Sequence, residues 1–169
     1  YSGKIKFLVN DLLMHIKPLA PVFLPINKYG SQAKESSLQI NNAYESDEQM
    51  LIFPAGLCSR LQHGKIKDLE WKKTFIAKAV QSQRDIIPIY FEGRNSTFFY
   101  RFAQIRKCIG LKFNIELIYL PDEMFNSKNK TFDIYIGKPI PWQTFDKSKS
   151  LQEWAQIVKE KVYQIKKNQ

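Results

Sequence analysis

Ile86-Ile87-Pro88-Ile89-Tyr90-Phe91-Glu92-Gly93-Arg94-Asn95-Ser96 is the stretch from which the fold is read. Its first six residues are apolar at every position, as in an interior strand covered on both faces. A polar turn follows, and beyond Ser96 the apolar residues change to helical spacing as far as Ile109. Strand, loop and helix in that order form one unit of an α/β fold, with 86–91 expected as the central strand.

Outward from this unit the same alternation recurs. Short β-branched and aromatic runs lie at 4–10, 22–27, 50–53, 113–120 and 131–137, and segments of helical spacing at 11–17, 31–46, 69–83, 96–109 and 151–166. The fold class read from them is α/β, a mixed, mostly parallel sheet flanked by helices. The runs at 113–120 and 131–137 alternate as half-buried strands do, with Phe113, Ile115, Leu117 and Tyr119 on one face and Phe132, Ile134 and Ile136 on another. The clearest helix is 151–166, where Leu151, Trp154, Ala155, Val158, Val162 and Ile165 step by three and four. Ser150 and Glu153 there make a capping box. In 69–83, Trp71, Phe75, Ile76, Ala79 and Val80 are read as core. In 96–109, Phe98, Phe102, Ile105 and Ile109 form the expected buried stripe. Phe99, Tyr100, Arg101, Arg106 and Lys107 are left over, either to cover a neighbouring loop or to sit at the headgroup level of an anionic membrane.

The chain has 169 residues, 26 Lys and Arg against 16 Asp and Glu, and a net charge of +10. At 44% apolar residues it is neither disordered nor collagen-like, and a chain of this length buries roughly 70% of its unfolded surface without disulfides. No repeat or linker interrupts it, so residues 1–169 are read as one domain. Cys58 and Cys108 lack any metal-ligand spacing; they are read as reduced thiols of a cytosolic compartment, and no metal site is implied. The longest apolar run is far short of the ~20 residues of a membrane-spanning helix. The chain begins at Tyr1 and enters strand-like sequence within four residues, so a missing N-terminal part is expected.

The charge excess asks for an acidic partner: nucleic acid, an anionic membrane or a phosphate-bearing molecule. Two basic patches stand out, Arg101, Arg106, Lys107 and Lys112 with no carboxylate between Phe98 and Phe113, and five basic residues between Arg60 and Lys73 against Asp68 and Glu70. Open α/β sheets present ligands in the loops after strands. One such loop reads Phe53-Pro54-Ala55-Gly56-Leu57-Cys58-Ser59-Arg60, where Gly56 permits a tight turn and Ser59 and Arg60 offer donors suited to phosphate oxygens. A purely structural turn has the same appearance. The other loop, Glu92 to Ser96, offers Arg94, Asn95 and a helix N-terminus, which attracts anions.

Together these two loops resemble the glycerolipid acyltransferase family, in particular its hemolysin-like branch, close to the O-acyltransferases of ornithine- and glycine-type aminolipids. The family's third block, F-P-E-G-T-R-S, falls on Phe53 to Ser59, and its fourth, an apolar strand with a central proline, falls on Ile87-Pro88-Ile89. Its second falls on Leu24-Pro25-Ile26-Asn27-Lys28, with Lys28 where the family usually has Arg. Three departures accompany the match. Ala55 replaces a Glu that many relatives use to hold a glycerol-phosphate acceptor, which fits the aminolipid branch better. Cys58 stands at the usual Arg, with Arg60 two positions on as a substitute for its charge. The first block, H-x-x-x-x-D, is absent before Val22: His15 is followed by Ala20 at the required offset, and the His63/Asp68 pair has the spacing but the wrong place in the order.

The resemblance implies transfer of an acyl group from a thioester of coenzyme A or acyl carrier protein to a hydroxyl of a phospholipid or aminolipid precursor, with no resident cofactor. A neutral imidazole would take the acceptor proton, with a carboxylate holding its other nitrogen; both are expected upstream of Tyr1. Residues 1–169 would supply recognition through Lys28, Phe53, Pro54, Gly56, Ser59, Arg60, Arg94 and Asn95. A lipid acceptor implies a peripheral protein on the inner face of the cytoplasmic membrane, where each basic residue near an anionic leaflet contributes about 1 kcal/mol. The alternatives are a non-catalytic module binding lipid or anionic membranes, and a basic nucleic-acid-binding domain. The last has no helix-turn-helix, zinc-finger or RNP-type signature in its support, and no nucleic acid is expected as partner.

Overall fold

The computed structural model describes residues 4–9, 11–26, 31–111 and 113–166. Three parallel strands, β1 (Ile5–Val9), β2 (Phe23–Pro25) and β3 (Gln49–Leu51), form a sheet in the order β2-β1-β3, with Phe7 opposite both Phe23 and Leu51. Helix α1 (Ser31–Glu45) makes the crossover from β2 to β3. Between β1 and β2 the chain forms two 3-10 turns, Asp11–His15 and Lys17–Val22, where an α-helix is read at 11–17. Pro18 and Pro21 cannot supply the amide donors of a longer helix.

A hairpin follows, β4 (Arg60–Gln62) and β5 (Lys65–Lys67), and then α2 (Thr74–Ser82). The helix begins later than the apolar spacing from residue 69 suggests, because the backbone before it is bonded elsewhere. The Lys159 ammonium donates to the carbonyls of Asp68 and Leu69 at 3.0 and 2.8 Å. The amides of Gln152 and Gln156 each donate to the Trp71 carbonyl at 2.9 Å, and Lys72 N–H donates to the Pro54 carbonyl at 3.1 Å. All these side-chain donors belong to the last helix, α5 (Leu151–Ile165), or serve the loop before α2. Against α5 the core closes: Trp71, Phe75 and Ile76 meet Ala155, Val158 and Val162, with Ala55, Ile140 and Phe145 completing the cluster.

Strand β6 (Ile89–Glu92) is not the central strand read from its composition. Among the described residues it pairs only with β7 (Asp133–Ile136), antiparallel, with Ile89 opposite Ile136 and Phe91 opposite Ile134. One face of this ribbon packs inward through Tyr90 and Tyr135, and the Tyr90 ring lies 5.8 Å from that of Tyr163 on α5. The other face, carrying Ile89, Phe91, Ile134 and Ile136, is exposed. Continuous apolarity here therefore reflects one face against the core and one left open.

Two further expectations are corrected in the next segment. Helix α3 (Thr97–Cys108) forms, but it buries Phe99, Tyr100 and Ala103 and turns Phe98, Ile105 and Ile109 outward, one residue of rotation from the expected face. Residues 113–120 are not a strand: a 3-10 helix, Ile115–Tyr119, leads directly into α4 (Leu120–Phe125). The buried member there is Glu116, fully inaccessible, while Phe113 is exposed.

The capping box of α5 is present: Ser150 Oγ accepts from Glu153 N–H at 3.2 Å, and Glu153 Oε2 accepts from Ser150 N–H at 2.8 Å. Ser150→Ala is expected to cost about 1 kcal/mol, read as a fall of roughly 2–4 °C in Tm by calorimetry. Burial pushes the hydroxyls of Tyr44 and Tyr163 up to about 12, against about 10 in an unfolded chain. The native state thus holds more protons between these values, so stability is complete below pH ~10 and falls as pH rises toward 12. Denaturant titrations across this window should show the decline, and Tyr163→Phe should make it shallower.

Candidate functional site

The loop from Phe53 to Arg60 connects β3 to β4 and is fixed from several sides. Ala55 is buried in the core, where it contributes packing. Gly56 turns the chain at φ 69°, a conformation that side chains other than Gly adopt at a cost, and its N–H bonds the Phe53 carbonyl at 2.9 Å. Phe53 is exposed and Pro54 half-buried. The Ser59 hydroxyl donates to Asp68 Oδ1 at 2.7 Å, and Asp68 Oδ2 accepts from the Trp71 indole at 3.1 Å. Ser59 is thereby tied to the segment before α2.

Arg60 is engaged more heavily than a free anion clamp. Its Nη1 donates to the carbonyls of Cys58 and Ser59 at 2.8 and 3.2 Å, and its Nη2 donates to Glu116 Oε1 at 2.7 Å. The guanidinium also lies 5.7 Å from the centre of the Phe99 ring. The other oxygen of Glu116 stands 2.8 Å from Arg106 Nε, an ion pair without hydrogen-bond alignment. A fully buried carboxylate between two guanidiniums thus joins the loop, α3 and the 3-10 helix. Charge of this kind is tolerated in an interior only when paired.

The second loop reaches the first through Asn95. Its side chain lies near the Cys58 thiol, and its N–H donates to the Tyr100 hydroxyl at 3.2 Å. Burial pushes the Cys58 thiol up, with Arg60 and Asn95 opposing, so the group stays a neutral thiol. Arg94 is exposed. The N-terminus of α3 does not wait for an external anion: Glu123 of α4 accepts from Ser96 N–H at 2.6 Å and pairs with the Ser96 hydroxyl, which itself caps Phe99 N–H.

The structure therefore brings Ser59, Arg60 and Asn95 together with Cys58, leaves Phe53 and Arg94 at the surface, and Lys28 lies outside the described residues. His63 and Asp68 are separated. His63 occupies the tip of the β4–β5 hairpin with φ 48°, whereas Asp68 lies beyond the far end of β5, about 10 Å away along the strand by the usual rise per residue. One residue was not singled out from the sequence. The Lys72 ammonium sits over the loop glycine, 2.9 Å from where a Cβ on Gly56 would be, and among the described residues no carboxylate pairs with it. Its only sequence signal was membership of the basic patch from Arg60 to Lys73.

A family model described as Acyltransferase matches residues 1–169. The chain is 57% identical over 165 residues to the lyso-glycine lipid O-acyltransferase of Bacteroides thetaiotaomicron, covering 98% of this chain and 61% of that protein. It is 54% identical over 165 residues to the lyso-glycine lipid O-acyltransferase of Phocaeicola vulgatus, covering 98% and 59%. The chain thus spans about three fifths of the length of the curated relatives it matches. No solved structure matches it.

Glu116→Gln keeps the shape of the buried group and removes its charge, leaving two guanidiniums facing each other. It should destabilise the fold by about 3 kcal/mol, measured by urea unfolding. Loss of less than a third of that would show that the ion pairs are not what holds the loop.

Proposed function

The chain belongs to the acyltransferase family, and on that premise we propose that it serves transfer of a fatty acyl group from a thioester to a hydroxyl of a lyso-glycine lipid. The donor is an acyl thioester of coenzyme A or of an acyl carrier protein. In the reaction the acceptor oxygen forms a bond to the acyl carbon, the carbon–sulfur bond breaks, and the thiol leaves with the proton the hydroxyl has lost. Two relatives above half identity, both named lyso-glycine lipid O-acyltransferases, support the acceptor class. The base is not assigned to a residue of this chain.

The observation that carries the acceptor reading is the charge of the motif loop. Where a Glu would present a carboxylate, Ala55 is packed in the core, and a lysine ammonium stands over the adjacent Gly56 instead. A glycine attached to a lipid through its nitrogen presents a carboxylate. Lys72 is the group that pairs with it, and charge-assisted hydrogen bonds of this type are about twice as strong as neutral ones. Arg60 holds the loop in shape, and Ser59, Arg94 and Asn95 line its approach. The enzyme works at a bilayer surface as a peripheral protein on the inner face of the cytoplasmic membrane. This is supported by the lipid nature of the acceptor, and no helix among the described residues is long and apolar enough to cross a membrane.

The test is product formation by the complete protein from an acyl thioester and a lyso-glycine lipid. Lys72→Met should raise KM for this acceptor about tenfold with kcat little changed, and Lys72→Arg should recover part of the loss. With an acceptor whose carboxylate is capped as the amide, Lys72→Met and the parent should perform alike. Equal losses on both acceptors would remove Lys72 from acceptor recognition, and no transfer by the parent would sink the reaction itself.

A further inference from the structure

The rotation of α3 leaves an amphipathic stripe on the wrong side for a core. Phe98, Phe102, Ile105 and Ile109 repeat at helical spacing on one face of the helix, and all but Phe102 are exposed. The Tyr119 ring joins this stripe to the 3-10 helix, at 5.2 Å from the ring of Phe98 and 5.6 Å from that of Phe102. Next to it Phe113 and Ile118 stand 80% and 73% accessible. Lone exposed apolar residues are ordinary, but a continuous set of this kind marks a contact surface.

The charges around the set say what it contacts. From Phe98 to Phe113 the chain carries Arg101, Arg106, Lys107 and Lys112 and no carboxylate. Of the carboxylates that follow, Glu116 is sealed between two guanidiniums and Glu123 is bonded to Ser96, which leaves Asp122. Arg101 is exposed and flanks the stripe, on a stem long enough to lie along a surface with its charge at the boundary, whereas exposed Lys107 leaves the other side of the helix. The β6–β7 ribbon also exposes apolar side chains, yet Glu92 and Asp133 face each other in its register and it has no basic excess. We infer that the outer face of α3 with the adjoining 3-10 helix docks on an anionic lipid bilayer, its aromatic and aliphatic side chains entering the headgroup boundary and the flanking Arg101 guanidinium meeting the lipid phosphates. The inference rests on the lipid-acceptor reading and names the surface that would bring the motif loop to the membrane.

The experiment is cosedimentation of the complete protein with vesicles of phosphatidylcholine and with vesicles of equal parts phosphatidylcholine and phosphatidylglycerol. The parent should bind the anionic vesicles, and less at high salt. The double variant Ile105→Glu, Phe113→Glu should weaken binding by about tenfold or more, Arg101→Gln should weaken it and flatten the salt dependence, and Ile134→Glu on the ribbon should leave it unchanged. Unfolding midpoints equal to the parent's establish that the variants fold, and the charge variant keeps the test open if the double variant does not. Failure of the parent to bind anionic vesicles, full binding by both α3 variants, or loss in Ile134→Glu alone would overturn the inference. Self-association of the parent that Ile105→Glu abolishes, without vesicle binding, would overturn it in favour of a second copy of the chain. Transfer to a short-chain, monomeric acceptor should be unaffected by the double variant. Vesicle binding without any acyl transfer would strike the functional reading and leave the docking face standing, and transfer without vesicle binding would do the reverse.

Discussion

One buried carboxylate organises the functional half of this structure. Glu116 has no access to solvent and meets Arg60 at 2.7 Å and Arg106 at 2.8 Å. Desolvating a carboxylate costs several kcal/mol, so the position relies on the two guanidiniums beside it. That requirement propagates. Arg60 comes from the end of the motif loop, and satisfying Glu116 places its Nη1 where it also ties down the carbonyls of Cys58 and Ser59. Arg106 comes from the last turn of α3, and on a helix Phe99, Ala103 and Arg106 share one side. Turning Arg106 toward Glu116 therefore buries Phe99 and Ala103 and sends the stripe of Phe98, Ile105 and Ile109 to the outside.

The same constraint explains what the sequence revealed and what it hid. The last helix was legible to the residue of its cap, since Ser150, Glu153 and the apolar spacing after them act locally and agree with the tertiary packing. The motif loop was legible because its residues are adjacent in the chain. The strand expected at 113–120 was not there, because alternation counts apolar residues and could not know that the one side chain to be buried was a charged one. The face of α3 was misjudged for the same reason. Periodicity assigns the most apolar stripe to the core, and here an ion pair formed with residues at 60 and 116 outweighed it.

Within the candidate site the division is similar. Gly56, Ser59 and Arg60 could be picked out from turn chemistry and resemblance, and Asn95 from its loop. Their partners and neighbours could not: Glu116 reaches Arg60 and Glu123 reaches Ser96 from elements distant in sequence, and Tyr100 meets Asn95 from the buried face of α3. Glu123 in particular occupies the helix N-terminus that an external anion would use. Lys72 escaped notice because nothing in its immediate sequence marks it. It gains its place from the Lys72 N–H bond to the Pro54 carbonyl, which lays the start of the α2 segment along the motif loop.

These details give the surplus of positive charge a distribution as well as a size. In the cluster around Glu116 two guanidiniums share one carboxylate, which leaves one unit of positive charge just beneath the loop. Lys72 adds another above Gly56, and Arg94 stands exposed at the edge of the second loop. Arg101 and Lys107 continue the same sign along α3. Physiological salt screens charges over about 8 Å, so cations so arranged act as neighbouring local fields and not as one diffuse potential. Near the loop the Arg60 guanidinium is held in a bonded frame, with the exposed Lys72 ammonium above it, the arrangement proposed to select a single carboxylate. Along α3 the Arg101 charge lies on a flexible stem beside exposed aromatic rings, which suits a partner that is itself fluid. The proposed head-group loop and the proposed lipid-facing side of α3 thus draw on the same residue types in different surroundings.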